Sequence, residues 1–375
     1  MNTRKAIGVK GAWACAMLVV TAALAGMLGG CSRAGELAYA RRGDEIMVCG
    51  QLFHTGAPVV LWTDPGGYDA YRTEKRFGPL EAASWDATRA GGRGPETPSR
   101  YNTRFFRFAA EQPEFVGAAG AAGISDEVIA RVRGGGWSLE ELRQVVDQFV
   151  LHYDVCGTSR QCFRVLHDLR GLSVHFMLDI DGTIYQTLDL KERAWHATSS
   201  NDRSIGIEIA SIGAYPPAAE GTVGAIDSAG EFAGRIGLPT TLERWYLRDK
   251  LGWYVHLPEE MGDGGVRTRG FVGRPVRRGP VVGEVQGRRL VQFDLTAEQY
   301  DSLIKLTAAL CRVFPNLPRD YPRDAGGALI TRRLEEEELR RFRGVLGHFH
   351  IQTNKVDPGP ALQWEAVMGR KRLER

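Results

Sequence analysis

The chain has 375 residues, room for two domains, or for one domain with large insertions, at ~150 residues per domain. Its 43% hydrophobic and 25% charged residues are ordinary globular usage and exclude a disordered or collagen-like chain. The net charge of +3 comes entirely from Arg4, Lys5 and Lys10, which excludes a protein-wide basic field for nucleic acid, and a single apolar run excludes a polytopic membrane protein.

That run opens the chain. Residues 1–10 are basic and Gly11 to Leu28 are apolar, the order of a secretory leader. It ends Leu28-Gly29-Gly30-Cys31-Ser32, which resembles a bacterial lipobox. The resemblance implies removal of 1–30, lipidation of Cys31 and an exported protein anchored to a membrane, the outer membrane facing the periplasm if the cell is diderm. Two or more acyl chains, at ~0.8 kcal/mol per buried methylene, hold such an anchor stably. Export leaves Cys49, Cys156, Cys162 and Cys311 where disulfides persist. Four cysteines allow three full pairings, and the short spacing favours Cys156 with Cys162.

Residues 45–63 read as strand, through Ile46, Val48, Leu52, Val59 and Leu61, inside an accessory N-terminal segment, 31–124, with weak signals and Gly/Pro-rich linkers. Helix signals begin at Ser125 and again at Ser138, where Glu141 completes a capping box. Gln148 to Tyr153 reads as a buried strand and Gln161 to Leu169 as helix. Val174–Ile180 and Thr183–Leu188 form a hairpin about Asp181-Gly182, and Ser204–Ala210 is a further strand. Residues 211–290 are Gly/Pro-rich and read as a long insertion. Thr296 with Gln299 caps a helix whose Tyr300, Leu303, Leu306, Leu310 and Phe314 recur at helical spacing. Arg332 to Arg341 reads as a solvated helix, and Val345 to His350 as a last strand. Interleaved strands and helices predict an α/β fold, a mixed central β-sheet flanked by helices, over 125–375.

Four groups stand where chemistry could be done. His152 ends an apolar strand, His348 follows Gly347 at the end of another, and Asp357 sits in Asp357-Pro358-Gly359-Pro360. Read singly, these are core histidines and a turn aspartate. Glu208, in Ile205-Gly206-Ile207-Glu208-Ile209, is different: a carboxylate among Ile residues costs energy unless it is paired or used.

Together they resemble the zinc-dependent N-acetylmuramoyl-L-alanine amidases of the type-2 family, related in fold to the peptidoglycan recognition proteins. The matching blocks are Val150-Leu151-His152; His175-Phe176 through Asp181-Gly182-Thr183-Ile184-Tyr185-Gln186 to Ala194-Trp195-His196-Ala197; Asn201-Asp202-Arg203-Ser204-Ile205-Gly206-Ile207-Glu208; and Gly347-His348 with Lys355-Val356-Asp357-Pro358-Gly359-Pro360. The resemblance implies His152, His348 and Asp357 as ligands of Zn2+, Glu208 as general acid/base, Lys355 beside the developing oxyanion, and Asn201 and His196 on the substrate. It also implies a Cys156–Cys162 disulfide, since the recognition proteins carry a similarly spaced pair. His350 lies two residues after His348, and on a strand both would face one side and compete for the metal. The implied substrate is peptidoglycan or its muropeptides. The rival reading is a catalytically silent peptidoglycan-binding lipoprotein on the same fold.

Overall fold

A computed structural model of the chain describes residues 34–72 and 136–375, all in one compact unit. The leader, Cys31 and the helix expected from Ser125 lie outside the described residues. Among the described residues no helix is long and apolar enough to cross a membrane.

The strands in chain order are β1 (Leu37–Ala38), β2 (Glu45–Val48), β3 (Gln51–His54), β4 (Val59–Leu61), β5 (Gln148–Tyr153), β6 (Phe176–Leu178), β7 (Ile184–Gln186), β8 (Ser204–Ile209), β9 (Ala218–Asp227), β10 (Phe232–Gly237), β11 (Tyr246–Asp249), β12 (Gly252–Val255), β13 (Val281–Val285), β14 (Arg288–Gln292) and β15 (Gly344–Gly347). The helices are α1 (Leu139–Val145), α2 (Ser159–Phe163), α3 (Thr240–Trp245), α4 (Ala297–Val313), α5 (Glu336–Arg341) and α6 (Trp364–Val367). Both expected capping boxes form, Ser138 with Glu141 on α1 and Thr296 with Gln299 on α4. The predicted helix over Gln161 to Leu169 starts two residues earlier as α2 and continues as a π-helical turn over Arg164–Leu169.

The central sheet has the order β15-β5-β8-β6-β7-β4 and is mixed: β15, β5, β8 and β6 run parallel, and β7 is antiparallel to β6. Strand alternation assigns its two faces. Phe149 and Leu151 of β5, Ile205, Ile207 and Ile209 of β8, and Phe176 and Leu178 of β6 pack into one core with Tyr300, Leu303, Leu306 and Leu310 of α4. The intervening positions, among them His152, Gly206 and Glu208, therefore face away from α4. In register His152 stands opposite Glu208 on the neighbouring parallel strand, so the two side chains emerge side by side at the carboxyl end of the sheet. Ligand sites of parallel sheets form there.

Of the expected accessory segment 31–124, the described residues 34–72 add to the sheet: β4 pairs with β7 as its edge strand, and β2 is tied to β7 and the turn after it by Met47 N–H on Gln186 Oε1 and Cys49 N–H on Asp189. A three-residue strand leaves no periodic signal to read. The 211–290 insertion is an ordered layer of its own: a sheet of order β10-β9-β13-β14 and the β11–β12 hairpin enclose a second core of Ala225, Ile236, Leu242, Val282, Val291 and Phe293. Glycines that read as loop sit at turns and irregularities inside it; Gly234, at φ 105°, occupies the register shift in β10. Two arginines of this region are paired within it or with its edge, Arg277 with the buried Asp294 and Arg274 with the part-exposed Asp249.

A buried ion pair fixes the sheet's amino-terminal edge. Arg203, just before β8, donates to both oxygens of Asp147, just before β5, at 2.6 and 2.7 Å, and to the carbonyls of Arg340 and Phe342 at the end of α5. Breaking one half of such a pair strands a buried charge, at a cost of ~3–5 kcal/mol. Arg203→Met is therefore expected to lower the unfolding free energy by about that amount in urea denaturation. The double variant with Asp147→Leu should recover part of the loss, and equal loss in both would refute the account.

Candidate active site and metal centre

The three expected ligand residues converge. His152 Nδ1 lies 2.9 Å from His348 Nδ1 and 3.0 Å from Asp357 Oδ2, and His348 Nδ1 is 2.9 Å from the same oxygen. Chain topology explains the meeting. β15 lies beside β5 with Gly347 level with Leu151, so the next residue, His348, comes up beside His152. The following loop returns to place Asp357, held by Phe349 N–H on the Asp357 carbonyl at 3.2 Å. Gly347 permits the packing: a Cβ there would stand 2.7 Å from Pro358 Cδ.

With Asp357 ionised, no arrangement of protons satisfies this triangle. If both Nδ1 atoms carry hydrogen to reach the carboxylate, the two N–H groups collide; if one does not, its lone pair faces the carboxylate oxygen. A cation at the centre satisfies all three. Ligand atoms held at ~2.0–2.1 Å around tetrahedral zinc are separated by about 3.3 Å, within a few tenths of an ångström of these edges. The outer nitrogens are already engaged, His152 Nε2 with His196 Nδ1 at 3.0 Å and His348 Nε2 with Gln352 Oε1, as in metal sites whose ligand tautomers are fixed from behind. Burial, with the nearby His348, lowers His152 to about 4, so it is a neutral ligand at pH 7. Burial would raise Asp357, but the two histidines outweigh it and hold the carboxyl well below the usual range.

Beside the triangle opens a cleft of about 360 Å³, lined by His152, His196, Glu208, His348, Lys355 and Asp357 among others. Glu208 is half-buried, and its Oε2 has no hydrogen-bond partner. Burial, then the charges of Asp357 and Asp154, push its pKa well up, with Lys355 opposing. A carboxyl tuned upward at the wall of a cleft is suited to exchanging protons near neutrality.

His196 lines the cleft, and its ring lies against Gly206, where a Cβ would stand 2.5 Å from Nδ1. Asn201 does not line the cleft. It is buried, and its Oδ1 accepts the His196 and Ala197 backbone N–H groups at 3.0 and 2.6 Å, so it shapes the loop that presents His196. His350 is removed from the metal question: residues 348–350 form a 3-10 turn, not a strand, and turn His350 to Gly347 N–H and the Ile330 carbonyl. Cys156 and Cys162 are free thiols, not a disulfide. Burial of Cys162, with its hydrogen bond to Cys156, pushes that thiol well up and keeps it protonated.

Sequence reading missed Gln352, four residues after His348, which orients that ligand, and Asp154, which takes the Cys156, Gly157 and Ser211 N–H groups at the cleft wall. Burial raises Asp154 to about 7. An acid closing an apolar strand was the available signal for it.

Residues 142–237 match the N-acetylmuramoyl-L-alanine amidase family. That match takes in His152, His196 and Glu208, while His348, Lys355 and Asp357 are joined to them by the geometry above. Two solved structures are similar: a selenomethionine derivative of AmpD, at 17% identity over 61% of this chain and 86% of that one with a TM-score of 0.27, and the N-acetylmuramoyl-L-alanine amidase endolysin LysCS from Clostridium intestinale, at 15% identity over 61% and 85% with a TM-score of 0.28. No curated protein matches this sequence.

The raised pKa of Glu208 has a consequence for stability. The folded chain holds that proton more tightly than the unfolded one, so this contribution is full below pH 4.5 and is lost as pH rises through the folded value. With metal chelated, Glu208→Gln should match the native chain below pH 4.5 and become more stable than it as pH rises towards 8. Urea denaturation across that range reads the difference; a variant equally stable or weaker at pH 8 would contradict the shift.

Proposed function

We propose that this amidase is a zinc enzyme that hydrolyses the amide between the lactyl group of N-acetylmuramic acid and L-alanine of the peptidoglycan stem peptide. The observation that carries the reading is the triangle of His152, His348 and Asp357 beside the partnerless Glu208 oxygen. His152, His348 and Asp357 would hold the ion, and zinc bound by three protein ligands supplies Lewis-acid activation of water and of a carbonyl. The protein's own residues supply the rest. Glu208 takes a proton at its free carboxylate oxygen and returns it to the departing amine of L-alanine. Lys355 directs an ammonium at the negative charge that develops on the carbonyl oxygen. His196 and Gln352 fix the ligand imidazoles, so the donor set is already arranged before substrate arrives.

The test is purified peptidoglycan incubated with the full chain, with products separated by mass. Free stem peptides and peptide-less glycan are expected, and a chelator should abolish them. Glu208→Gln should retain metal while kcat falls ~10²–10⁴-fold. Lys355→Met should lower kcat by ~10²–10³ with metal content unchanged. Cuts within the glycan, or between peptide residues, would refute the bond assignment.

We also infer that the enzyme is exported and lipid-anchored through Cys31, on the support of the basic-apolar leader and the Leu28-Gly29-Gly30-Cys31 boundary. Mass spectrometry of the membrane-extracted protein should find an acylated N-terminal Cys31; an intact leader would end the idea.

A further inference from the structure

Away from the cleft, the N-terminal sheet of order β1-β3-β2 holds a second set of converging donors. Glu45 and His54 are directly opposed in the antiparallel β2–β3 register, so their side chains share one face. Asp44, the residue before β2, folds its carboxylate over the same point, with Oδ2 accepting the Gly56 N–H. One ligand atom from each of the three residues falls within 4.8 Å of the others.

The hydrogen bonding within this group is incomplete in a telling way. His54 Nδ1 sits 3.0 and 3.2 Å from the two Asp44 oxygens, but 3.5 Å from Glu45 Oε1, too far for a hydrogen bond of normal strength. The Glu45 side chain has no exposure, and Oε1 has no partner. Its other oxygen is fully engaged, by the Arg42 and Gly43 N–H groups and the Arg41 guanidinium, which is shared with Asp64. A buried carboxylate oxygen without a hydrogen-bond partner thus faces an imidazole and a second carboxylate. His54 and Asp44 keep 10% and 24% of their side-chain surface, which leaves a way in for a small ion.

We propose that Asp44, Glu45 and His54 form a second divalent-cation site, structural rather than hydrolytic, that ties β2 to β3. One imidazole with two carboxylates suits zinc, and no cleft for a large substrate adjoins it among the described cavities. Bound there, the ion would brace the sheet that is tied to β7 by Met47 and to the following turn by Cys49 and Gly50.

Zinc titration of the chelator-stripped full chain against a competing chromophoric chelator tests this. The native chain should take two equivalents. Asp44→Asn and His54→Gln should each take one, as should Asp357→Asn, and Asp44→Asn/Asp357→Asn should take none. In the Asp357→Asn background zinc should still raise Tm, and adding Asp44→Asn should remove that rise. Asp44→Asn is nearly isosteric and half-buried, so it serves even where His54→Gln fails to fold. Native stoichiometry in both Asp44→Asn and His54→Gln, or a zinc-insensitive Tm in the Asp357→Asn chain, would overturn the proposal. Unchanged stoichiometry in Asp357→Asn alone would instead count against the cleft metal.

Discussion

The structure turns on a triangle of two imidazole nitrogens and one carboxylate oxygen that no set of protons can reconcile while the carboxylate is ionised. Such a group is costly to fold unless something positive fills it, because each member is buried. The surrounding architecture serves to make that collision stable. Parallel pairing of β15 with β5 lifts His348 level with His152, and the return loop brings Asp357 against both. His196 and Gln352 close the outer nitrogens. The same register that aligns β5 with β8 sets Glu208 beside His152, so the proposed metal donors and the proposed proton-exchanging carboxyl are positioned by one sheet.

The division of the sheet into two faces explains how the site tolerates its own polarity. On one side, α4 and the isoleucines of β8 form a continuous apolar core that can bear the cost of the other side. There, Ser204, Gly206 and Glu208 alternate with those isoleucines; the first two meet the His196 ring, and Glu208 reaches the cleft. Arg203 and Asp147 secure the opposite end of the same two strands, so the strands cannot slide without breaking a buried bidentate pair. Stability is concentrated at the amino ends of the strands and chemistry at their carboxyl ends.

Much of this was legible in the sequence because it is written in period two. Ile205, Ile207 and Ile209 alternating with Gly206 and Glu208 state which residues face the core, and an acid in that pattern has few structural uses. The capping boxes at Ser138 and Thr296 located α1 and α4 for the same local reason. What failed was set by tertiary geometry. His350 reads as sharing a face with His348 only if the chain stays extended, and a 3-10 turn breaks that premise. Asn201 lies within a functional block, yet its oxygen is spent on the backbone of the loop it supports. β4 is too short to announce itself, and the Glu45–His54 pair exists only once two strands have paired.

The most direct test of the central claim is X-ray absorption at the zinc edge on the native chain and on Asp357→Asn, with the Asp44→Asn substitution present in both to leave the cleft ion alone. The account predicts a first shell of two imidazole nitrogens and light oxygen donors at ~2.0–2.1 Å in the first protein, and loss of that signal in the second. A zinc signal with no imidazole scattering, or one indifferent to Asp357→Asn, would contradict it.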